Sequence, residues 1–537
     1  MKMKTSTVSV GGRTLALGCW IAAGFFALLM PIAFFHGLPF LQHTPLRMKS
    51  LRKPFEILLI LFLAGLALHP QRREIWDTLS QKFKFLAEHP ASPWLLCGFY
   101  FLLFLWEQAS RYLALEINFI PFLFYDYMMW YFDHGRICFT GLLHGYYHTN
   151  LILLALYPIW KIFQSAWVLH VAQPLLAVAA GVPFYFWSKD QLKNSNWALG
   201  VLFLYLNFRY LENVLSVNFA VEIFYPLFIF LAVYFASRRK ELLYYLVLIV
   251  GLTIKEDAAV YFGGLGLFFL FKREDRARGL WTIALSVLAL FFMLKILMPW
   301  SGNNILPEDM NNFRSARAAG QLLPGLFQNG HEKIRTLIKI TSRLLFIPWI
   351  SPWMFLVVLA MTPLYLQGGD YFVQLMFHYA AAVLPFLFLA FVDGLRRLFQ
   401  MKAIQRKQMI GWGIAVALLF ANGLNLRPFH FSFDDIRTIQ LAKSLPSESI
   451  VVTQGHLLPY IGYRKYNFYI SSPFEKRPDT LNAYTKPDYF LFDFDANAYP
   501  LAPQELRDKG EAAKRNPDYE VMFQDHRRLL LKRRGIA

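Results

Sequence analysis

Cysteine is almost absent from this chain. Three of its 537 residues are cysteine, Cys19, Cys97 and Cys138, which excludes a disulfide framework and any zinc-ligand spacing. Nucleotide-handling signatures are missing too. There is no P-loop, no Gly-x-Gly-x-x-Gly turn after a strand, no Gly-x-Ser-x-Gly elbow and no His-Glu-x-x-His pair, so nucleotide-driven chemistry has no visible machinery. Internal repeats and low-complexity segments are also lacking. Acidic residues are few beside basic ones, 35 against 54, for a net charge of +19. That surplus is not a nucleic-acid signature. Residues 427–537 hold 17 of the Lys and Arg and 14 of the Asp and Glu, so the excess lies beside apolar segments, where positive charge orients a membrane protein. No nucleic-acid partner is implied.

Apolar and aromatic residues are abundant: 56% of the chain is hydrophobic, with 53 Phe, 27 Tyr and 14 Trp. No ordinary soluble domain carries this load. The fold class expected is an all-α polytopic membrane domain, residues 1–426, with roughly ten to thirteen apolar segments. A small extracytoplasmic α/β domain, residues 427–537, follows it. Candidate spans lie near 14–35, 55–69, 92–107, 166–187, 196–210, 217–237, 279–299, 333–350, 352–367, 373–392 and 409–424. The first reads as an uncleaved anchor. Segment 149–164 is too short for a span and reads as interfacial or re-entrant. Basic clusters at Arg238-Arg239-Lys240, Lys272 to Arg278 and Arg396 to Lys407 mark the cytoplasmic side of a multi-pass protein of the cell membrane. Segment 409–424 then carries the tail outside. In that tail Ile436–Leu445 has helical periodicity, and Ser449–Thr453 and residues 486–493 read as strands. Tyr519–Lys532 reads as a hairpin with Asp525-His526 near its turn.

One apolar run, residues 244–270, holds Lys255, Glu256 and Asp257 at its middle. An ionisable side chain inside such a segment marks a water-filled cavity or a functional site by default. Basic clusters flank the run at both ends, and its length falls short of two spans of ~20 residues each. A shortened hairpin with the trio at its far, extracytoplasmic tip satisfies both constraints; a single tilted span is the alternative.

Four constellations could carry chemistry. Asp126 and Asp133 lie in an aromatic stretch, Phe122 to His134, of the kind that lines membrane interfaces. A carboxylate there can act as general base toward an acceptor hydroxyl or bind a metal bridging phosphates, or be an ordinary solvated acid. His144 and His148 open the short 149–164 segment, where a histidine can orient a carboxylate or donate to a phosphate. Glu222 stands one turn from Asn218 on what reads as one helix face, with Lys255 as an available partner. In the trio itself, Lys255 could hold a lipid pyrophosphate as a point charge and the two acids could coordinate Mg²⁺ or Mn²⁺. Lys255 could equally serve only to neutralise Glu222 or Glu256. His378-Tyr379, ahead of a later span, adds a polar pair on the same predicted side.

These residues also carry a resemblance. With Tyr125-Asp126, His148 followed by Tyr157-Pro158, the Gln173 and Glu222 segments, Lys255-Glu256-Asp257, His378-Tyr379 before Leu384-Pro385-Phe386, and the tail pattern through Tyr489 to Asp493, the chain resembles the prokaryotic membrane proteins grouped as domain of unknown function twenty seventy-nine. The resemblance runs from about Pro121 to Arg533. That family is similar in turn to the GT-C class of integral-membrane glycosyltransferases. It implies a GT-C-like fold and transfer of a sugar from a polyprenyl-phosphate donor to an envelope acceptor on the outer face, with membrane lipids and the lipid-linked sugar as partners. It makes Asp126 and His148 catalytic, Lys255, His378 and Tyr379 phosphate-binding, and Glu222, Glu256 and Asp257 the holders of a divalent metal, should one take part. The tail would recognise the acceptor or shield the site. Two other readings compete: a transporter or flippase for a lipid-linked or polar solute, built on broken helices, and a non-catalytic envelope scaffold.

Overall fold

The computed structural model describes residues 10–35, 52–117, 125–126, 128–130, 132–133, 148–300, 327–367, 369–401, 408–423, 431–462, 467–469, 487–498 and 501–536. The helices Val10–Phe35 (α1) and Arg52–Leu68 (α2) run antiparallel, with Trp20 stacked on His69 at 5.2 Å. Arg72–Glu88 (α3) was not expected from the apolar runs, because its hydrophobic residues alternate with Arg72, Arg73, Lys82 and Lys84. Ser92–Leu113 (α4) follows, and beyond it a 3-10 turn, Leu151–Ala155, leads into Tyr157–Phe163 (α5). Next come Trp167–Leu192 (α6), Ser195–Leu206 (α7), Arg209–Leu215 (α8) and, after a 3-10 turn at Val221–Ile223, Phe224–Ser237 (α9). The run that holds the charged trio is split into Glu241–Leu252 (α10) and Ala258–Leu270 (α11). The bundle closes with Arg276–Phe292 (α12), Gly330–Ser342 (α13), Met354–Gln367 (α14), Val383–Gln400 (α15) and Gln408–Asn422 (α16).

Ion pairs define one end of this bundle. Arg238 pairs with Asp190 at 2.6 Å, Arg239 with Glu274 at 2.7 Å, and Asp393 accepts from Arg397 at 2.8 Å. The Arg239–Glu274 pair joins the two basic flanks of the α10–α11 segment directly. Arg278 reaches back to Glu241, and Tyr244 packs its ring on Phe269 at 6.1 Å. The segment is therefore a hairpin with its trio at the opposite end. Close approach needs glycine: a Cβ on Gly251 would stand 2.5 Å from the Phe262 ring. Where α11 crosses α12, a Cβ on Gly279 would stand 2.7 Å from the Gly266 carbonyl oxygen, a small-residue crossing of the membrane type.

Among the described residues two helices, Trp167–Leu192 and Arg273–Trp300, are long and apolar enough to cross a membrane. A third counts if Asp370–Ala380 and Val383–Gln400, bent by 80°, form one span. Most other expected spans are apolar helices of 10–17 residues. The shortening has a visible cause between α8 and α9, where the backbone leaves the helix and Asn218 adopts φ 67°. Buried amides and a guanidinium replace the lost ladder. Gln108 Nε2 donates to the Leu215 carbonyl at 2.7 Å, Arg111 to that of Ser216 at 3.0 Å, and Gln173 to that of Val214 at 2.8 Å while accepting from Ala220 N–H at 2.8 Å. Asn218 consequently turns to Gln108, at 2.9 Å, and does not share a helix face with Glu222 as its spacing had suggested.

Among the described residues the tail is a five-stranded mixed sheet with two helices, Phe433–Lys443 (α17) and Pro503–Arg515 (α18). Its strands are Val451–Thr453 (β1), Asn467–Tyr469 (β2), Tyr489–Asp493 (β3), Tyr519–Gln524 (β4) and Arg528–Arg533 (β5), in the order β2-β1-β3-β5-β4. The expected strands, hairpin and first helix are all present; β2 and α18 are additions. Asp493 ends β3 fully buried, accepting from Arg527 Nε at 2.7 Å and from Thr438 at 2.7 Å. One side of the sheet has its own core, Val452, Phe492, Leu506 and Leu531, while Leu491, Leu458 and Tyr460 join the core of the bundle.

Candidate functional site

The hairpin tip organises the site. Lys255 Nζ lies 3.1 Å from Glu222 Oε1, and both side chains are about a tenth exposed, 12% and 8%. His378 Nε2 approaches the same oxygen at 3.7 Å. Glu256 contacts His148 Nδ1 and accepts from Thr149 N–H at 3.4 Å. Asp257 accepts from the hydroxyls of Tyr225 and, at 3.4 Å, Tyr261. The chain before α5 is tied to this turn, since Ile152 N–H donates to the Thr253 carbonyl at 3.0 Å. Four segments distant in sequence thus meet around one short break between apolar helices.

The cluster keeps hydrogen-bonding capacity in reserve. Thr149 Oγ1, both polar atoms of the Asn150 amide, Glu222 Oε2 and His378 Nδ1 are buried with no partner among the described residues. Buried polar groups are otherwise almost always paired, and such exceptions point to a ligand, ion or water. The carboxylates do not form a common oxygen set. Glu222 faces Lys255 and His378, Glu256 faces His148, and Asp257 faces two tyrosines. No group of three metal-binding side chains converges among the described residues, so the set expected to hold Mg²⁺ or Mn²⁺ is not assembled there.

Tyr379 does not reach toward Glu222 with its neighbour; its ring packs on His378 at 4.2 Å and on Phe372 at 4.5 Å. Tyr125 packs on Phe219 at 5.5 Å and lies within electrostatic reach of Lys255. Asp126, next to it and 3% exposed, lines a cavity of about 210 Å³ between the bundle and the tail. Asp133 accepts from Tyr157 at 2.9 Å and pairs with the exposed Lys161 at 3.2 Å. His134, His144 and the basic stretch 402–407 lie outside the described residues. Sequence reasoning missed Thr149, Asn150, Tyr225 and Tyr261; the tyrosines carried a faint signal, each one helical turn or less from an acid or a break.

The family described as Predicted membrane protein (DUF2079) matches residues 123–522. No curated protein matches the chain significantly. Among solved structures, that of ArnT from Cupriavidus metallidurans, bound to undecaprenyl phosphate, aligns with 82% of this chain and 98% of its own at a TM-score of 0.47 and 13% identity. At that level the two architectures are not equated.

Proposed function

We propose that this chain, which belongs to the DUF2079 family of predicted membrane proteins, is a GT-C-like membrane glycosyltransferase that moves a sugar from a polyprenyl-phosphate donor to an envelope acceptor. One observation carries the reading: a buried cluster at the ends of broken apolar helices gathers Lys255, His148 and His378 and leaves the Asn150 amide, Thr149 Oγ1, Glu222 Oε2 and His378 Nδ1 unpartnered among the described residues. A polar ligand delivered from the membrane suits such a place.

The acceptor hydroxyl oxygen attacks the anomeric carbon of the donor. The bond from that carbon to the phosphate oxygen breaks, and its electron pair stays on the phosphate, where the Lys255 ammonium stabilises it. The hydroxyl proton passes to the Asp126 carboxylate acting as general base. Before the donor arrives Lys255 is bound to Glu222; the phosphate takes over the ammonium, and Glu222 retains His378. His148 is anchored on Glu256 at the same turn. No step runs through a metal. In this reading the site opens to the extracytoplasmic face, and the tail lies outside with it.

A transporter of a lipid-linked or polar solute is the second reading, favoured by the gathering of Lys255, Glu222, Glu256 and Asp257 around a helix break. Purified protein in proteoliposomes, given a polyprenyl-phosphate sugar labelled in the sugar and a saccharide acceptor, separates the two. Glycosyl transfer predicts that Asp126→Asn stays folded and loses about 10²-fold or more in turnover. Solute movement that survives Asp126→Asn but fails in Glu222→Gln and Lys255→Met makes it a transporter. Indifference to all three makes it a scaffold.

A further inference from the structure

Apart from Asp126 itself, the cavity is built by residues that the Lys255 cluster does not use. Tyr112, at the end of α4, forms its floor. Its ring meets Trp167 at 4.9 Å and Tyr460 of the tail at 4.7 Å, and the Tyr460 hydroxyl fixes the seam by donating to the Tyr112 carbonyl at 2.7 Å. Lys443 of α17 lies over the same ring at 5.7 Å. Gln164 lines the cavity from a left-handed backbone position, φ 43°, that closes α5. A non-glycine residue there is strained, and strain of this kind gathers at ligand sites. The lining is thus an aromatic corner with one carboxylate, one amide and one ammonium around it.

Those groups suit a hydroxyl-bearing ring. Aromatic faces take the apolar face of a pyranose, and a few placed polar groups fix its hydroxyls. At about 210 Å³ the space is below the roughly 300 Å³ at which pockets for drug-sized molecules begin, so it holds one ring and not a chain. We infer that this seam is a saccharide-binding site that takes the terminal ring of a glycan acceptor, with Asp126 at its inner wall and Gln164 and Lys443 at its mouth. This rests on the glycosyltransferase reading for the word acceptor; the saccharide site itself stands on the cavity.

The test uses the full chain in nanodiscs without donor lipid. Methyl glycosides of glucose, galactose, mannose and N-acetylglucosamine are titrated one by one and followed by saturation-transfer difference NMR. Gln164→Gly removes the amide while suiting the left-handed backbone, and Lys443→Ala removes an exposed side chain, so both variants should fold. Binding of at least one glycoside, with Kd raised tenfold or more by either variant, is the expected result. Binding of none, or binding that both variants leave unchanged, overturns the inference. Because no donor is present, a negative transfer assay beside positive glycoside binding would sink glycosyl transfer and leave the saccharide site standing; the opposite pattern would remove the seam alone.

Discussion

Lys255 and Glu222 provide the sharpest energetic test. At 3.1 Å two unit charges in an effective dielectric of about 20 attract by about 5 kcal/mol. Desolvation consumes part of this, and breaking such a buried pair by removing one partner costs about 3–5 kcal/mol. Here the low end applies, because His378 stands 3.7 Å from Glu222 and shares its charge, and Glu256 and Asp257 flank Lys255. Lys255→Met and Glu222→Gln should each destabilise by about 3 kcal/mol. The double variant leaves neither charge stranded and should cost little more than either single change, a coupling of about 2–3 kcal/mol. Equilibrium unfolding in mixed micelles measures all three. Additive single effects, with a coupling under about 0.5 kcal/mol, would refute the pairing and with it the idea that a phosphate displaces Glu222 from Lys255.

Three further outcomes are expected. Gly279→Val places a side chain where even a Cβ stands 2.7 Å from the Gly266 oxygen, and should cost about 1–3 kcal/mol, read as a lower melting temperature in detergent. Asp493→Asn removes one of the two carboxylates that hold the buried Arg527, leaving Asp435 at 2.7 Å, and should cost about 1.5–3 kcal/mol, read as faster proteolysis of the tail. Asp525 in the β4–β5 turn titrates low: burial pushes it up, but the Arg528 guanidinium and the backbone N–H groups of Arg527 and Arg528 hold it down at about 2. A depressed carboxyl stabilises fully above its unfolded value of about 3.9 and ceases to as pH falls through the folded one. Protection of the amides in that turn, taken relative to their intrinsic exchange at each pH, should therefore hold to about pH 4 and fall steadily toward pH 2, and Asp525→Asn should show low protection throughout.

The trio in the apolar run was legible because charge in such surroundings is conspicuous whatever the fold, and the hairpin followed from basic flanks at both ends. Glu222 and His378 were found for the same reason, and the tail strands from alternation and turn residues. Other features left no such mark. The departure of Asn218 from its helix depends on Gln108, Arg111 and Gln173, distant amides and a guanidinium that no local pattern connects to it. Thr149 and Asn150 are ordinary polar residues until burial makes their unpartnered atoms costly. A shared metal set was inferred from three acids close in sequence or depth, but each of them has a different partner. The amphipathic α3 hid among basic residues read only as orientation signals.

Cysteine accessibility tests the central claim, one shared site open to the outer face, most directly. Single cysteines at positions 126, 257 and 378, in intact cells on a background lacking Cys19, Cys97 and Cys138, are labelled with an impermeant maleimide. The account predicts that all three label from outside and that a polyprenyl-phosphate sugar protects position 257. Labelling of position 257 only from the cytoplasm would contradict it.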